Sequence, residues 1–276
     1  MTHYILPEFP DLCKVTWDIR DQNYPILELI LRFVNRLSDR HPHVYICMRG
    51  SDCSKWKDLR EFVERCPSNV YIDIEVGLSQ KLIYWEQFPQ VYNVLVNWTP
   101  EVNWRRVLNL VKTRRKASVN LFVDFGQIGL TRRFYKKLAK SGVAARGVVF
   151  DSVVYSESQL EQILLLNNVT QKHFPGNLIW EHAVTDPALL VQQNVNWFFG
   201  WNCRAGSMRF HIDRDNTVYG GKCRTHIAGH LDQVPEIEFL TRPVCCPHRQ
   251  CRDLLDLTIE KWSPELPTWD TVELLK

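Results

Sequence analysis

The chain has 276 residues, 45% hydrophobic and 24% charged, with a formal net charge of +3. Such a composition excludes collagen-like, disordered and coiled-coil classes, and the length suits one large domain or two modest ones. No run reaches the ~18 apolar residues of a membrane span. The N-terminus lacks the basic-then-apolar pattern of a secretory signal, so a cytoplasmic protein with no membrane association is expected.

Strand and helix signals alternate from Cys13 to Asn167. The β-branched and aromatic run CKVTWDI predicts a strand over Cys13–Ile19. Apolar residues at 26, 27, 29, 30, 33, 34 and 37 have helical spacing and predict a helix over Pro25–Leu37. Further strands are expected at Val44–Met48, Val70–Val76, Val91–Asn97, Ser118–Phe125 and Gly147–Val154. Helices are expected at Ser54–Glu64 with Ser54 as N-cap, in a short stretch after Ser79, and at Trp104–Arg115, Thr131–Ser141 and Ser156–Asn167, the last with Ser156 as N-cap. Six strand–helix units in series predict an α/β fold with a parallel sheet. An incomplete, six-unit partial (βα) barrel is the first expectation and a doubly wound sheet the second. No glycine-rich nucleotide fingerprint follows a strand, since Gly126-Gln127-Ile128-Gly129 is too short.

Beyond about residue 170 the pattern changes, so the expected domains are 1–170 for the partial barrel and 171–276 for a small cysteine-rich metal-binding domain. Pro175-Gly176 reads as a turn. FHIDRDNTVY, Phe210–Tyr219, reads as a hairpin turning at Asp213–Asn216. Asp253–Trp262 reads as a short helix, and Pro264 and Pro267 open an extended tail.

Nine cysteines in a cytosolic chain favour metal binding over disulfides. Five lie close to the end: Cys203, Cys223, Cys245, Cys246 and Cys251. Cys203 and Cys223 bracket the hairpin, and CCPHRQC forms a tight second group. Thiolates select zinc or an iron–sulfur cluster. Four ligands are assigned, Cys203, Cys223, Cys246 and Cys251, with Cys245 as the alternate to Cys246. His226, His230 and His248 lie nearby as substitutes in a zinc site.

The run CRAGSMRFHIDRDNTVYGGKC, followed by PVCCPHRQC, resembles the SPASM/twitch auxiliary-cluster domains of radical S-adenosylmethionine enzymes. The six units before it match the partial barrel of that superfamily in number and order. The resemblance implies a [4Fe-4S] cluster on the C-terminal cysteines, with zinc as the alternative. The Cys-x3-Cys-x2-Cys motif that holds the cofactor-cleaving cluster of such enzymes is missing: the loop after the first strand reads DIRDQNYP, and Cys47 and Cys53 stand alone. The resemblance therefore implies a radical-SAM-like protein without its own cofactor-cleaving cluster. Its role would be binding, support of a partner enzyme or electron relay. Competing readings are a zinc-stabilised nucleic-acid-binding protein, and an enzyme that uses the barrel mouth and keeps the metal as a staple.

Two other patterns stand out. Polar residues fall at the strand ends: Asp18, Arg20, Arg49, Glu75, Asn97, Asp124 and Asp151, where βα barrels place their sites. From Arg105 to Arg146 there are twelve Lys/Arg and one acid, whereas the remaining residues carry 22 Lys/Arg and 30 Asp/Glu. Arg105, Arg106, Arg114, Arg115 and Lys116 on and after one helix, with Arg132, Arg133, Lys136 and Lys137 on the next, would form a positive face for nucleic acid or an acidic protein.

Overall fold

The computed structural model describes residues 12–19, 24–50, 52–77, 83–148, 156–166, 179–180, 183–184, 197–251, 256, 259 and 261–262. The alternation read from the sequence is present: β1 (Leu12–Asp18), α1 (Leu27–Ser38), β2 (His43–Arg49), α2 (Leu59–Arg65), β3 (Val70–Val76), α3 (Ile83–Glu86), β4 (Val91–Trp98), α4 (Trp104–Val111), β5 (Ala117–Phe122), α5 (Ile128–Lys140), β6 (Ala144–Val148) and α6 (Glu157–Leu164). The helical spacing of α1 buries Ile30, Leu31, Phe33, Val34 and Leu37. Ser156 caps α6 as expected, in a reciprocal box: Gln159 N donates to Ser156 Oγ (3.3 Å) and Ser156 N to Gln159 Oε1 (2.8 Å).

Boundaries differ where short caps intervene. The helix expected from Ser54 is split into a 3-10 turn, Cys53–Lys55, and α2. Asp52, not Ser54, heads that turn, because its carboxylate accepts from Ser54 N at 3.2 Å. Likewise Asp124 accepts from Gly126 N (2.9 Å) and starts a turn at Phe125–Gln127, so α5 begins earlier than expected. The end of the expected strand Gly147–Val154, the Pro175-Gly176 turn, most of the expected Asp253–Trp262 helix and the Pro264–Pro267 tail lie outside the described residues.

Later strands are β7 (Ile179–Trp180), β8 (Ala183–Val184), β9 (Asn202–Cys203), β10 (Arg209–Ile212), β11 (Thr217–Tyr219), β12 (Ile227–His230), β13 (Val244–Cys245) and β14 (Lys261–Trp262). The fold is α/β with a large, mostly parallel sheet in the order β12-β11-β10-β1-β2-β3-β4-β5-β6. From β1 to β6 the strand order follows the chain without the reversal that a doubly wound sheet requires. No described helix is long and apolar enough to cross a membrane.

The residues group into two compact units. One contains Ile19–Tyr24 and Cys47–His173, with β3, β4, β5 and β6 paired in parallel. The other contains Pro7–Asp18, Pro25–Ile46 and Phe174–Lys276. In the second, β10 runs parallel to β1, with Lys14 opposite Arg209 and Thr16 opposite His211. The expected hairpin is β10 and β11. Asn216 closes its turn at φ +66, donating its N–H to Asp213 O (3.0 Å). A third antiparallel strand, β12, had no clear sequence signal.

Candidate metal centre

Three of the four assigned cysteines, Cys203, Cys246 and Cys251, are buried, and Cys223 is half-buried. The small sheet β13-β9-β14 orients two of them. Cys203 on β9 stands opposite Val244 on β13 and opposite Lys261 on β14. Residues directly opposed across antiparallel strands share a face, so Cys203 and Lys261 project together. Cys245 opposes Asn202 instead; it projects to the other face and is exposed. The ladder continues through Cys246 N to Trp201 O (2.7 Å) and Gly200 N to Cys246 O (2.9 Å). Alternation along this segment returns Cys246 to the face of Cys203. The two adjacent cysteines, equivalent by spacing, are therefore distinguished by pleat.

Cys223 arrives on the loop after β11. Gly221 in that loop has φ +87, and a Cβ there would stand 3.3 Å from the Cys223 sulfur. Asp256 holds the loop, accepting from Cys223 N (2.8 Å) and Lys222 N (3.2 Å). The same carboxylate accepts from Arg209 Nε at 2.8 Å in a fully buried ion pair. Thr225 Oγ1 lies 2.9 Å from the Cys223 sulfur.

Electrostatics ties the four thiols together. Burial, then the Asp256 charge, pushes Cys223 up to about 11, and a negative Cys203 adds to the rise. Burial raises Cys246, again with a contribution from Cys203. Burial raises Cys251, and Cys203 and Cys223 raise it further. Lys261 sits among them: burial opposes its charge, but Cys203, Cys251, Asp256 and Cys223 more than offset this and raise it. Its ammonium donates to the carbonyls of Asp256 and Ile259. Crowded buried thiols are poor isolated anions, and one lysine cannot neutralise four. A polycationic centre relieves that repulsion and releases their protons. The all-sulfur donor set suits zinc or an iron–sulfur cluster. A ZnS4 tetrahedron with bonds of about 2.3 Å needs its sulfurs about 3.8 Å apart. Here no three of these sulfurs lie within 4.8 Å of one another. Around a cluster each thiolate is carried by a separate iron, so the sulfurs stand further apart.

The neighbouring histidines are occupied differently. His230 Nε2 pairs with Asp215 O (2.6 Å), and its Nδ1 accepts from Asp232 N (3.2 Å), which leaves His230 no free nitrogen for a metal. His226 lies 3.9 Å from Glu238, and its Nε2 is buried without a hydrogen bond among the described residues. His248 Nε2 is likewise buried without a hydrogen bond among the described residues, and the His248 carbonyl lies 3.6 Å from the Cys246 sulfur.

In the other unit, α4 and α5 pack through Trp104 and Phe134, with ring centroids 6.0 Å apart. The two basic helices are thus neighbours. Arg105, Arg106, Arg115, Arg132, Arg133, Lys136 and Lys137 are exposed, and Arg114 is half-buried. Among the described residues none of these eight has a carboxylate within 4 Å. Lys116 leaves the face: its ammonium turns inward and donates to Phe88 O (3.0 Å) and Val91 O (2.7 Å).

Of the polar strand ends, Glu75 and Asn97 enter a buried row that spacing alone did not reveal. Glu75 accepts from Gly50 N (2.6 Å) and Asn120 Nδ2 (3.2 Å), Asn120 also donates to Asn97 Oδ1 (2.9 Å), and Arg146 Nε donates to Asn120 Oδ1 (2.7 Å). Pairing of Asn97 with Asn120, and of Asn120 with Arg146, puts these on one sheet face. Burial pushes the Cys47 thiol to about 11, and the charges of Arg49, Asp73, Arg146 and Glu75 act on it as well. Burial also raises Cys53. Arg20 and Asp151 lie outside the described residues.

No family model matches this chain, and no curated protein sequence matches it.

Proposed function

We propose that the chain is a radical S-adenosylmethionine-like scaffold that holds one auxiliary-type iron–sulfur cluster, a four-iron one, on Cys203, Cys223, Cys246 and Cys251. It works as a binding, partner-support or electron-relay protein and not as a radical initiator. The observation that supports this reading is that the charges of Cys203, Cys223 and Cys251 act on the buried Lys261, and that of Lys261 on Cys246, although among the described residues no three of these sulfurs form a close ligand group. The chain-ordered run β1 to β6 supports a partial barrel. When bound, such a cluster supplies one-electron transfer at a potential set by burial and neighbouring charge. The protein's own part is positional. Asp256 fixes the Cys223 loop, Lys261 supplies a nearby positive charge, and the pleat of β13 selects Cys246 over Cys245.

The test is anaerobic purification with visible absorbance and analysis of iron, sulfide and zinc. Broad visible absorbance with iron and sulfide is expected, lost in Cys203→Ala and Cys223→Ala and retained in Cys245→Ala. Colourless protein with one zinc would replace the cluster by a zinc site, and full metal in both of the first two variants would remove the ligand assignment. The same protein, given S-adenosylmethionine and a strong reductant, is expected to form no 5′-deoxyadenosine over many turnovers. Formation of that product, abolished by mutating Cys47 and Cys53, would restore a radical enzyme.

The cations on and after α4 and on α5, which have no carboxylate within 4 Å among the described residues, support a second property of the same scaffold, a surface for nucleic acid or an acidic protein. The reading as an enzyme with its site at the strand ends draws on the Glu75–Asn120–Arg146 row.

A further inference from the structure

A second cluster of potential ligands lies apart from the thiols, at the carboxyl ends of the parallel pair β1 and β10. One ligand atom each from Asp18, His211 and Asp213 falls within 4.8 Å of the others. The register explains it. Thr16 stands opposite His211, so alternation puts Asp18 and Asp213, each two residues on, on that same face. The imidazole of His211 is 1% exposed, and among the described residues its Nδ1 lacks a hydrogen bond. Its Nδ1 is buried without a partner, and its Nε2 is 4.0 Å from Asp18 Oδ2. That distance is too long for a hydrogen bond. It is close to the spacing of two atoms bound to one ion, about 3–4 Å for bonds of about 2.0–2.2 Å. The two carboxylates keep some access to solvent, at 17% for Asp18 and 15% for Asp213. An ion therefore has a way in, while the imidazole is shielded.

We propose that Asp18, His211 and Asp213 form a site for a divalent first-row transition ion. One imidazole nitrogen and two carboxylates suit manganese, iron(II) or zinc, and three protein ligands leave at least one coordination position open for water or an oxygen donor. The carboxyl ends of parallel strands are where α/β proteins place such open sites. Arg224 is the internal competitor: its guanidinium contacts Asp213 Oδ2, while Asp213 Oδ1 accepts from Arg214 N at 2.9 Å. Arg209 and Lys222 add positive charge near His211, so the ion must enter against three cations. The site does not depend on the thiol centre.

Manganese(II) is the probe, because a hard ion avoids thiolates and leaves iron content as a separate readout. The full chain, titrated with manganese(II) and followed by the loss of the free-ion EPR signal, is expected to bind one ion. Asp18→Asn and Asp213→Asn keep shape while removing a charged ligand, and each is expected to weaken binding at least tenfold. Arg224→Ala is expected to tighten binding severalfold. No bound manganese on the native chain would overturn the proposal. So would unchanged affinity in either Asn variant that keeps the native circular dichroism, or weaker binding by Arg224→Ala.

Discussion

Asp256 is a single buried carboxylate with two separable tasks, and its replacement by asparagine tests both. It is 2% exposed. It accepts from Arg209 Nε (2.8 Å), Cys223 N (2.8 Å) and Lys222 N (3.2 Å). Arg209 is wholly buried, and it also donates to Phe210 O (2.8 Å), Thr16 Oγ1 (2.5 Å) and Lys14 O (3.4 Å). All three are neutral acceptors. Asp256→Asn keeps the shape and deletes the Asp256 countercharge of a wholly buried guanidinium. Breaking a buried pair in this way costs about 3–5 kcal/mol. The asparagine NH2 also has to face one of the N–H donors that the carboxylate accepted. Urea unfolding followed by far-ultraviolet circular dichroism is expected to report a loss of about 3–5 kcal/mol, with reduced iron loading because the Cys223 amide is released. The double variant Arg209→Met/Asp256→Leu separates the tasks. Apolar replacement of a whole buried pair is often neutral or stabilising, so stability should recover while iron loading stays low. An Asp256→Asn protein within about 1 kcal/mol of the native chain, far below the cost of an unpaired buried charge, and with full iron would refute the reasoning.

Lys14 gives a pH dependence of definite sign. Burial, with the Arg209 and Lys261 charges, lowers its ammonium to about 7, whereas an unfolded lysine titrates near 10.4. Between those values the unfolded chain holds the extra proton, so stability rises with pH, by up to about 1.4 kcal/mol per unit. Above about pH 9 the unfolded thiols ionise, and Cys47 and Cys223, held up to about 11 by burial, reverse the trend in the metal-free protein. Lys14→Met should flatten the rise between about pH 7 and pH 8.5, and a slope that survives the substitution removes Lys14 as its source. For the basic helices, binding to a short DNA duplex should fall steeply with salt, as counterion release requires. Glutamate at Arg132, Arg133, Lys136 and Lys137 should abolish it without loss of iron, and an equally tight complex after those four changes would sink the basic-face reading.

Elements whose signal is local were legible in the sequence. The strand Val70–Val76 was read to the residue, and the Ser156–Gln159 box and the Asp213–Asn216 turn depend on groups within a few positions. Boundaries shifted where a neighbouring carboxylate offered a better cap, as Asp52 did ahead of Ser54. Spacing alone left Cys245 and Cys246 equivalent. Only the pairing of Cys245 with Asn202 and of Val244 with Cys203 assigns them to opposite faces. Lys116 shows the reverse limit. Its charge counted toward the basic run, but two backbone carbonyls on a segment about 25 residues away had already claimed its ammonium.

The Asp18–His211 cluster was illegible for a stricter reason. It depends on a parallel pairing between β1 and β10, strands nearly 200 residues apart, and parallel neighbours leave no turn between them to read. A trace of it was nevertheless present. Strands buried on both faces usually read as continuous apolar runs, yet LCKVTWD alternates Lys14, Thr16 and Asp18 with Cys13, Val15 and Trp17. Ordinarily that alternation marks a solvated face. Here Lys14 and Thr16 are buried, and so are their partners Arg209 and His211. A polar face that is not solvated has to be satisfied from within. Arg209 achieves this through Asp256 and Thr16, and among the described residues the Nδ1 of His211 does not. Period-two polarity on a strand buried at every position but its last therefore marks an internal polar seam. The unsatisfied member of such a seam is where a ligand from outside the chain has most to gain, since it supplies the partner that the fold withheld.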